Sequence, residues 1–225
     1  MKNPIKFSLK TEIWPLLIIL ATIILSLWSY PQLPAVVVSH WDFAGQANGW
    51  MSREFNAILF PIILIFMYVL FTFMPKLDPR GERYEEFANV YLIMRNAIML
   101  VMMVVFIATT LFNLGYNINI GATVAGVVGL LMIVLRNYFG KIKRNFFVGI
   151  RTPWTLSSDN VWNQTHRLGG RLFMIWGLGL IFTPWLAPTL AFIILIGGII
   201  VVISWVTIYS YILFKKEKKE NKENK

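Results

Sequence analysis

Apolar residues run along this chain in long unbroken blocks, not in the alternating or one-sided patterns of a soluble domain. Four blocks are plain: Ile13–Tyr30, Phe55–Met74, Val90–Leu114 and Ile118–Phe139. Each is close to the roughly 20 helical residues needed to cross about 30 Å of hydrocarbon. A fifth apolar region, Leu172–Phe214, is too long for one crossing and is broken by TPWLAPTL at Pro184 and Pro188. It reads as two helices joined by a tight turn, Leu172–Leu186 and Leu190–Phe214. The expected fold is therefore all-α: a polytopic membrane protein of six transmembrane helices, since a helix satisfies its own backbone in lipid.

Basic residues assign the sides. Lys2, Lys6 and Lys10 precede the first block, and the loop after it holds Arg53 alone. Lys76, Arg80 and Arg83 follow the second, and the turn after the third has no basic residue. Arg136, Lys141, Lys143, Arg144, Arg151, Arg167 and Arg171 surround the next connection. None lies between the last two blocks, and six Lys follow the final one. The alternation predicts cytoplasmic N and C termini. Composition agrees: 57% of residues are hydrophobic and 14% charged, against about 25% charged in soluble domains. The net charge of +10 is absorbed by this topology signal, so direct nucleic-acid binding is not expected. With no cysteine, a disulfide framework and a thiolate metal site are both out of reach.

Three units follow. Residues 1–86 form a two-span unit with an extracellular loop at 31–54. Residues 87–214 form a four-span unit with a cytoplasmic loop at 140–171. Residues 215–225, KKEKKENKENK, read as a disordered basic tail drawn to anionic membrane lipids.

The two loops are polar islands in an apolar chain. In the outer one, His40 and Asp42 fall on one side of an extended strand and Glu54 is near in sequence. Two or three ligands make a weak metal site, so no metal and no cofactor is expected. Gly45 and Asn48-Gly49 read as turns, and Trp41 and Trp50 as interface residues. In the inner one, Arg151-Thr152-Pro153-Trp154 is expected to be extended, because the residue before a proline avoids the helical region. Ser157-Ser158-Asp159 offers caps for a helix from near Asp159, on which Trp162 and His166 share a face and Asp159, Asn163 and Arg167 another. Gly169-Gly170 permits a bend or a close approach. Arg95 with Asn96 is the conspicuous polar pair inside a span, a functional-site candidate by default. Glu85, Glu86 or headgroups are its expected partners. Asp78-Pro79-Arg80-Gly81 forms a turn expected to abut the inner island. No catalytic motif is present.

The run VGIRTPWTLSSDNVWNQTHRLGG resembles the signature of the SdpI immunity-protein family. The outer LPAVVVSHWDFAGQANGW is similar to the small domain of unknown function that often precedes it. The resemblance implies protection against a secreted antimicrobial peptide toxin in a bacterial cytoplasmic membrane. It also implies, for signalling members, capture of a cytoplasmic repressor. The toxin-facing residues would then be Pro34, His40, Trp41, Asp42, Gly45, Asn48, Gly49 and Trp50. The inner functional residues would be Gly149, Arg151, Thr152, Pro153, Trp154, Thr155, Trp162, Thr165, His166, Arg167 and Gly170. Two alternatives stay open: a membrane enzyme or metal-dependent modifying protein using His40, Asp42 and Glu54 or Arg151, Asp159 and His166; and a small toxin exporter, suggested by Arg95, Pro61, Pro184 and Pro188.

Overall fold

The computed structural model describes residues 3–6, 8–42 and 44–224; Lys2 and Lys225 of the basic clusters lie outside them, as does Phe43. Long helices dominate: α1 (Leu9–Ser29), α2 (Arg53–Leu77), α3 (Ala88–Asn113), α4 (Ile120–Phe139), α6 (Asp159–Phe182) and α8 (Gly198–Glu223). Short helix α5 (Pro153–Ser157) precedes α6, and α7 (Pro188–Phe192) runs through a π-helical turn at Ile193–Gly197 into α8. Strands β1 (Val36–Trp41) and β2 (Ala47–Ser52) form an antiparallel hairpin in the outer loop. The all-α expectation thus holds for the membrane part and misses this hairpin. VVVSHW has the β-branched and aromatic content that fits a pleated surface, but it directly follows a hydrophobic helix.

Starts of helices follow the capping residues. Ser52 accepts from the Phe55 amide, Asn119 from Ala122, and Ser158 from Val161. These caps satisfy amides that no preceding turn can reach. The break in the last apolar region falls where the prolines placed it, with α7 beginning at Pro188. The tail, expected to be disordered, is helical as far as Glu223, where α8 is supported by Lys216–Glu220 and Lys219–Glu223 pairs four apart.

Among the described residues, five stretches are long and apolar enough to span a bilayer: Leu9–Gln32, Arg53–Leu77, Gly81–Asn113, Ile120–Phe139 and Pro188–Glu223. Their outward faces carry Leu20, Ile62, Phe66, Ile200 and Trp205, all exposed, as lipid solvation requires. Helix α6 is equally long, but Asp159 and Arg167 lie in its first half and Arg171 at its middle, so only the remainder is apolar.

Close backbone approach joins α4 to α6. A Cβ on Gly129 would meet the Gly177 carbonyl at 2.5 Å, and one on Gly177 the Gly129 carbonyl at 2.6 Å. Small residues at a crossing are how helices associate in lipid, where the hydrophobic effect offers nothing.

Arg95 is the deepest charge. Its guanidinium is 1% exposed and donates to Glu12 Oε2 of α1 at 3.0 Å, to the Thr11 carbonyl at 2.7 Å, and to its neighbour Asn96 at 3.1 Å. The expected partners Glu85 and Glu86 are replaced by an acid 83 residues away. Those two acids lie in the turn before α3 and stay at the exposed surface, whereas α1 packs along α3 and brings Glu12 to the right level. Removing one member of such a pair strands the other in a low-dielectric site.

We expect Glu12→Gln or Arg95→Leu alone to lower stability by roughly 3 kcal/mol. The double replacement Glu12→Leu with Arg95→Leu should cost clearly less than the sum, read as thermal midpoints of the purified protein in detergent. Additive losses would show that the two charges do not act together.

Candidate functional site

The last residue of α3 meets the hairpin and its first turns pack with Phe139, Ile142 and Trp162, so the hairpin and the 140–171 segment lie at opposite ends of that helix. Each is fastened by partners the sequence hid.

At the hairpin end, Asn113 closes α3 with its side-chain amide against β1. It accepts from the Val38 amide at 2.7 Å and donates to the Val38 carbonyl at 3.0 Å, standing in for a third strand. The Trp41 ring meets Phe112 edge-on at 5.1 Å, and Val37 is fully buried beneath the sheet. The suspected metal residues do not converge. His40 bonds Asn48 across the hairpin, and Asp42 Oδ1 accepts from the amides of Ala44 and Gln46 in its own turn. Glu54 pairs with neighbouring Arg53. Among the described residues, no three His, Asp or Glu gather around one point. Gly45 takes the positive φ of +80° that the turn demands. Pro34, His40, Asn48 and Trp50 are exposed, Trp50 at 60%.

At the other end the polar residues form a buried scaffold. Asp78 of the turn after α2 does abut the island. Its carboxylate, 3% exposed, accepts from the Phe146 amide at 2.8 Å, the Arg80 amide at 2.8 Å and the Tyr84 hydroxyl at 3.1 Å. Asn145 is fully buried beside it. Its Oδ1 accepts from the Phe147 and Val148 amides and its Nδ2 donates to the Lys143 and Val148 carbonyls. One side chain thus ties down the loop that would otherwise expose unpaired backbone. The turn that carries Asp78 was legible, but the amides its carboxylate serves were not, and Asn145 carried no recognisable signal because it acts within an unpatterned turn.

Trp162 and His166 stack at 4.1 Å between ring centroids, as the four-residue spacing predicts. The Trp162 indole donates to the Ile142 carbonyl at 2.8 Å. The two nitrogens of His166 have distinct tasks: Nδ1 lies 2.8 Å from the Trp162 carbonyl and Nε2 2.9 Å from the Ile150 amide. A carbonyl can only accept and an amide can only donate. The imidazole is therefore neutral with its proton on Nδ1. Burial pushes its pKa down to about 4, outweighing an upward pull from the Trp162 carbonyl. Gly149 sits over this ring at φ +110°, and a Cβ there would lie 2.3 Å from Nε2. Space and backbone conformation both demand glycine.

Thr152 and Thr155 form a reciprocal cap, so Pro153 opens a helix instead of continuing an extended segment. Thr152 also meets Ser210 of α8 at 3.0 Å, and the Trp154 ring lies 5.1 Å from Tyr211. Ser158 donates to both Glu217 oxygens, at 2.8 and 2.9 Å, and Asn160 to one at 3.2 Å. The supposed tail is thereby clasped to the start of α6. Asp159 faces Arg83 at 2.6 Å and Arg144 at 2.8 Å, and the Arg83 hydrogen bond above all holds its carboxyl below the usual range. Arg151 is exposed and donates to the Phe146 carbonyl at 2.7 Å. Gly170 packs on Arg136 and Phe139 of α4, whereas Thr165, fully buried, leaves its hydroxyl without a partner among the described residues. Arg167 points outward, its stem against Gly140.

Comparison with known proteins fits this division. Residues 141–210 match the SdpI/YfhL protein family model, covering the buried scaffold from the segment after α4 to Ser210 on α8. Residues 17–65 match the Domain of unknown function (DUF1648), with the hairpin at its centre. Immunity protein SdpI of Bacillus subtilis (strain 168) is 24% identical over 208 residues, 92% of this chain and 98% of that protein. No solved structure gives a significant match.

The neutral His166 predicts an acid-side loss of stability. The unfolded imidazole titrates near 6.5 and the folded one near 4, so the unfolded state takes up its proton first as pH falls. Stability should be full above about pH 6.5 and fall toward pH 4 by up to about 1.4 kcal/mol per pH unit. Thermal melts from pH 7 to 4.5 would show the slope in the native protein and a weaker one in His166→Gln.

Proposed function

Starting from a chain that carries an SdpI/YfhL family segment behind a DUF1648 domain, we propose a membrane immunity protein. It shields the cell from a secreted antimicrobial peptide toxin without enzymatic turnover. Its apolar helices and its relative mark it as a multi-pass bacterial membrane protein. The observation that carries the functional reading is the likeness to Immunity protein SdpI along nearly the whole of both chains. Both polar ends of the bundle fall within that alignment.

In this reading the chain crosses the membrane six times with both termini in the cytoplasm, α6 supplying the crossing that its charged first half disguises. Arg167 and Arg171 would then sit at the inner headgroups, with the apolar half of α6 continuing outward. The hairpin is the toxin-facing element. Its exposed Trp50 and His40 stand on a ribbon held rigid by Asn113, a geometry suited to catching an amphipathic peptide at the outer surface. The 140–171 scaffold faces the cytoplasm and is the surface available to a repressor protein in a sensing member. Signalling would require the two ends to be coupled through a bistable element. Helix α3 is the natural connector, since its last residue holds the hairpin and its first turns pack beneath the scaffold.

Two experiments test this. Expression of the intact protein in a toxin-sensitive strain should raise survival, with Trp50→Ala and His40→Ala reducing protection severalfold at unchanged membrane levels. Lack of any protection by the intact protein would remove the immunity reading. Because the chain has no cysteine, Gln46→Cys and Ser157→Cys each supply a single thiol. An impermeant maleimide should label the first in intact cells and the second only after lysis. Labelling of both from outside would refute the topology.

A further inference from the structure

Where α3 begins and α4 ends, a cavity of about 730 Å³ opens beside the scaffold. Its position, at the ends of two bilayer-length helices, is the level of lipid headgroups. Phe87, Ala88 and Val90 give it an apolar side, and the polar side comes from Glu85, Asn89, Lys141 and Asn163.

The charges around it are informative once the satisfied ones are removed. Glu86 is matched by Lys143 at 3.4 Å and Arg83 at 3.5 Å. Two charges of opposite sign are left over. The Lys141 ammonium faces the Tyr138 ring at 5.4 Å and has no carboxylate partner among the described residues. Glu85 has no ion pair among them either. One free cation and one free anion on the wall of a single cavity match a zwitterion. An anionic headgroup would satisfy Lys141 and meet repulsion from Glu85; a metal ion or a cationic peptide would meet the reverse.

We propose that this cavity binds the headgroup of a zwitterionic phospholipid ending in a primary ammonium. The phosphate lies toward Lys141 and the Asn163 amide, the ammonium toward Glu85 and the Asn89 carbonyl oxygen, and the glycerol end against Phe87 and Val90. A primary ammonium is favoured over a quaternary one because the polar wall offers hydrogen-bond acceptors, whereas a choline group needs an aromatic cage that this wall lacks. This assignment does not depend on the immunity reading.

The test is native mass spectrometry of the full-length detergent-purified protein. Phosphatidylethanolamine, phosphatidylcholine and phosphatidylglycerol with identical acyl chains would be titrated separately, alongside soluble phosphoethanolamine. Phosphatidylethanolamine should be retained about threefold to tenfold more than either other lipid, the range expected of an interfacial charge match. Glu85→Gln and Lys141→Gln should each erase that preference while leaving the thermal midpoint nearly unchanged, since both side chains are exposed and neither has an ion pair among the described residues. Equal retention of all three lipids, a preference for phosphatidylglycerol, or an unchanged preference in both variants would overturn the proposal. Soluble phosphoethanolamine binding as tightly as the lipid would overturn the lipid as ligand.

Discussion

Burial, whether in hydrocarbon or in packed protein, removes water as a hydrogen-bond partner, and that constraint organises the buried polar residues that fix this fold. Each buried charge or amide has to find its partner within the chain, and the partners come from distant elements. Arg95 is met by Glu12 of another helix, and Asp78 and Asn145 hold a loop that would otherwise leave its amides bare. Asn113 completes the edge of a strand, and His166 is fixed in one tautomer by a carbonyl and an amide. An unmet buried polar group costs several kcal/mol, which is comparable to the stability of a whole domain. These few contacts therefore select the packing that the uniformly apolar helix faces leave undetermined.

The same physics decides how much could be read from the sequence. Helix positions were legible because hydropathy blocks and prolines act locally. The cap at Ser158, the stacked Trp162–His166 face and the turn at Pro188 obey spacings within a few residues. What stayed hidden depends on long-range pairing. Nothing near Glu12 in the sequence points to Arg95, and nothing in the lysine-rich end points to Ser158. The hairpin was concealed for a different reason: VVVSHW looks like more of the apolar chain before it, and only the register across its turn reveals strands. Arg167 and Thr165 share the polar run with His166, yet one points outward and the other lies buried. Composition cannot sort such neighbours; the face of α6 that meets α4 does.

The candidate site is best seen as two rigid ends on a common strut. Helix α3, 26 residues and about 39 Å long, holds the hairpin through its final residue. Its opening turns carry Tyr91 in the same packed cluster as Tyr84, Phe139 and Trp162. The scaffold's other attachment runs through Thr152, Trp154 and Glu217 contacts to α8. One helix thus touches the hairpin at its end and, at its start, the cluster beside the segment that also meets the last helix.

The contact between Gly129 and Gly177 carries a consequence for solute movement. With the carbonyl of each helix lying where the other's side chain would be, α4 and α6 leave no lumen between them at that depth. Any permeation route through a single copy of this chain would have to bypass that seam or pry it apart.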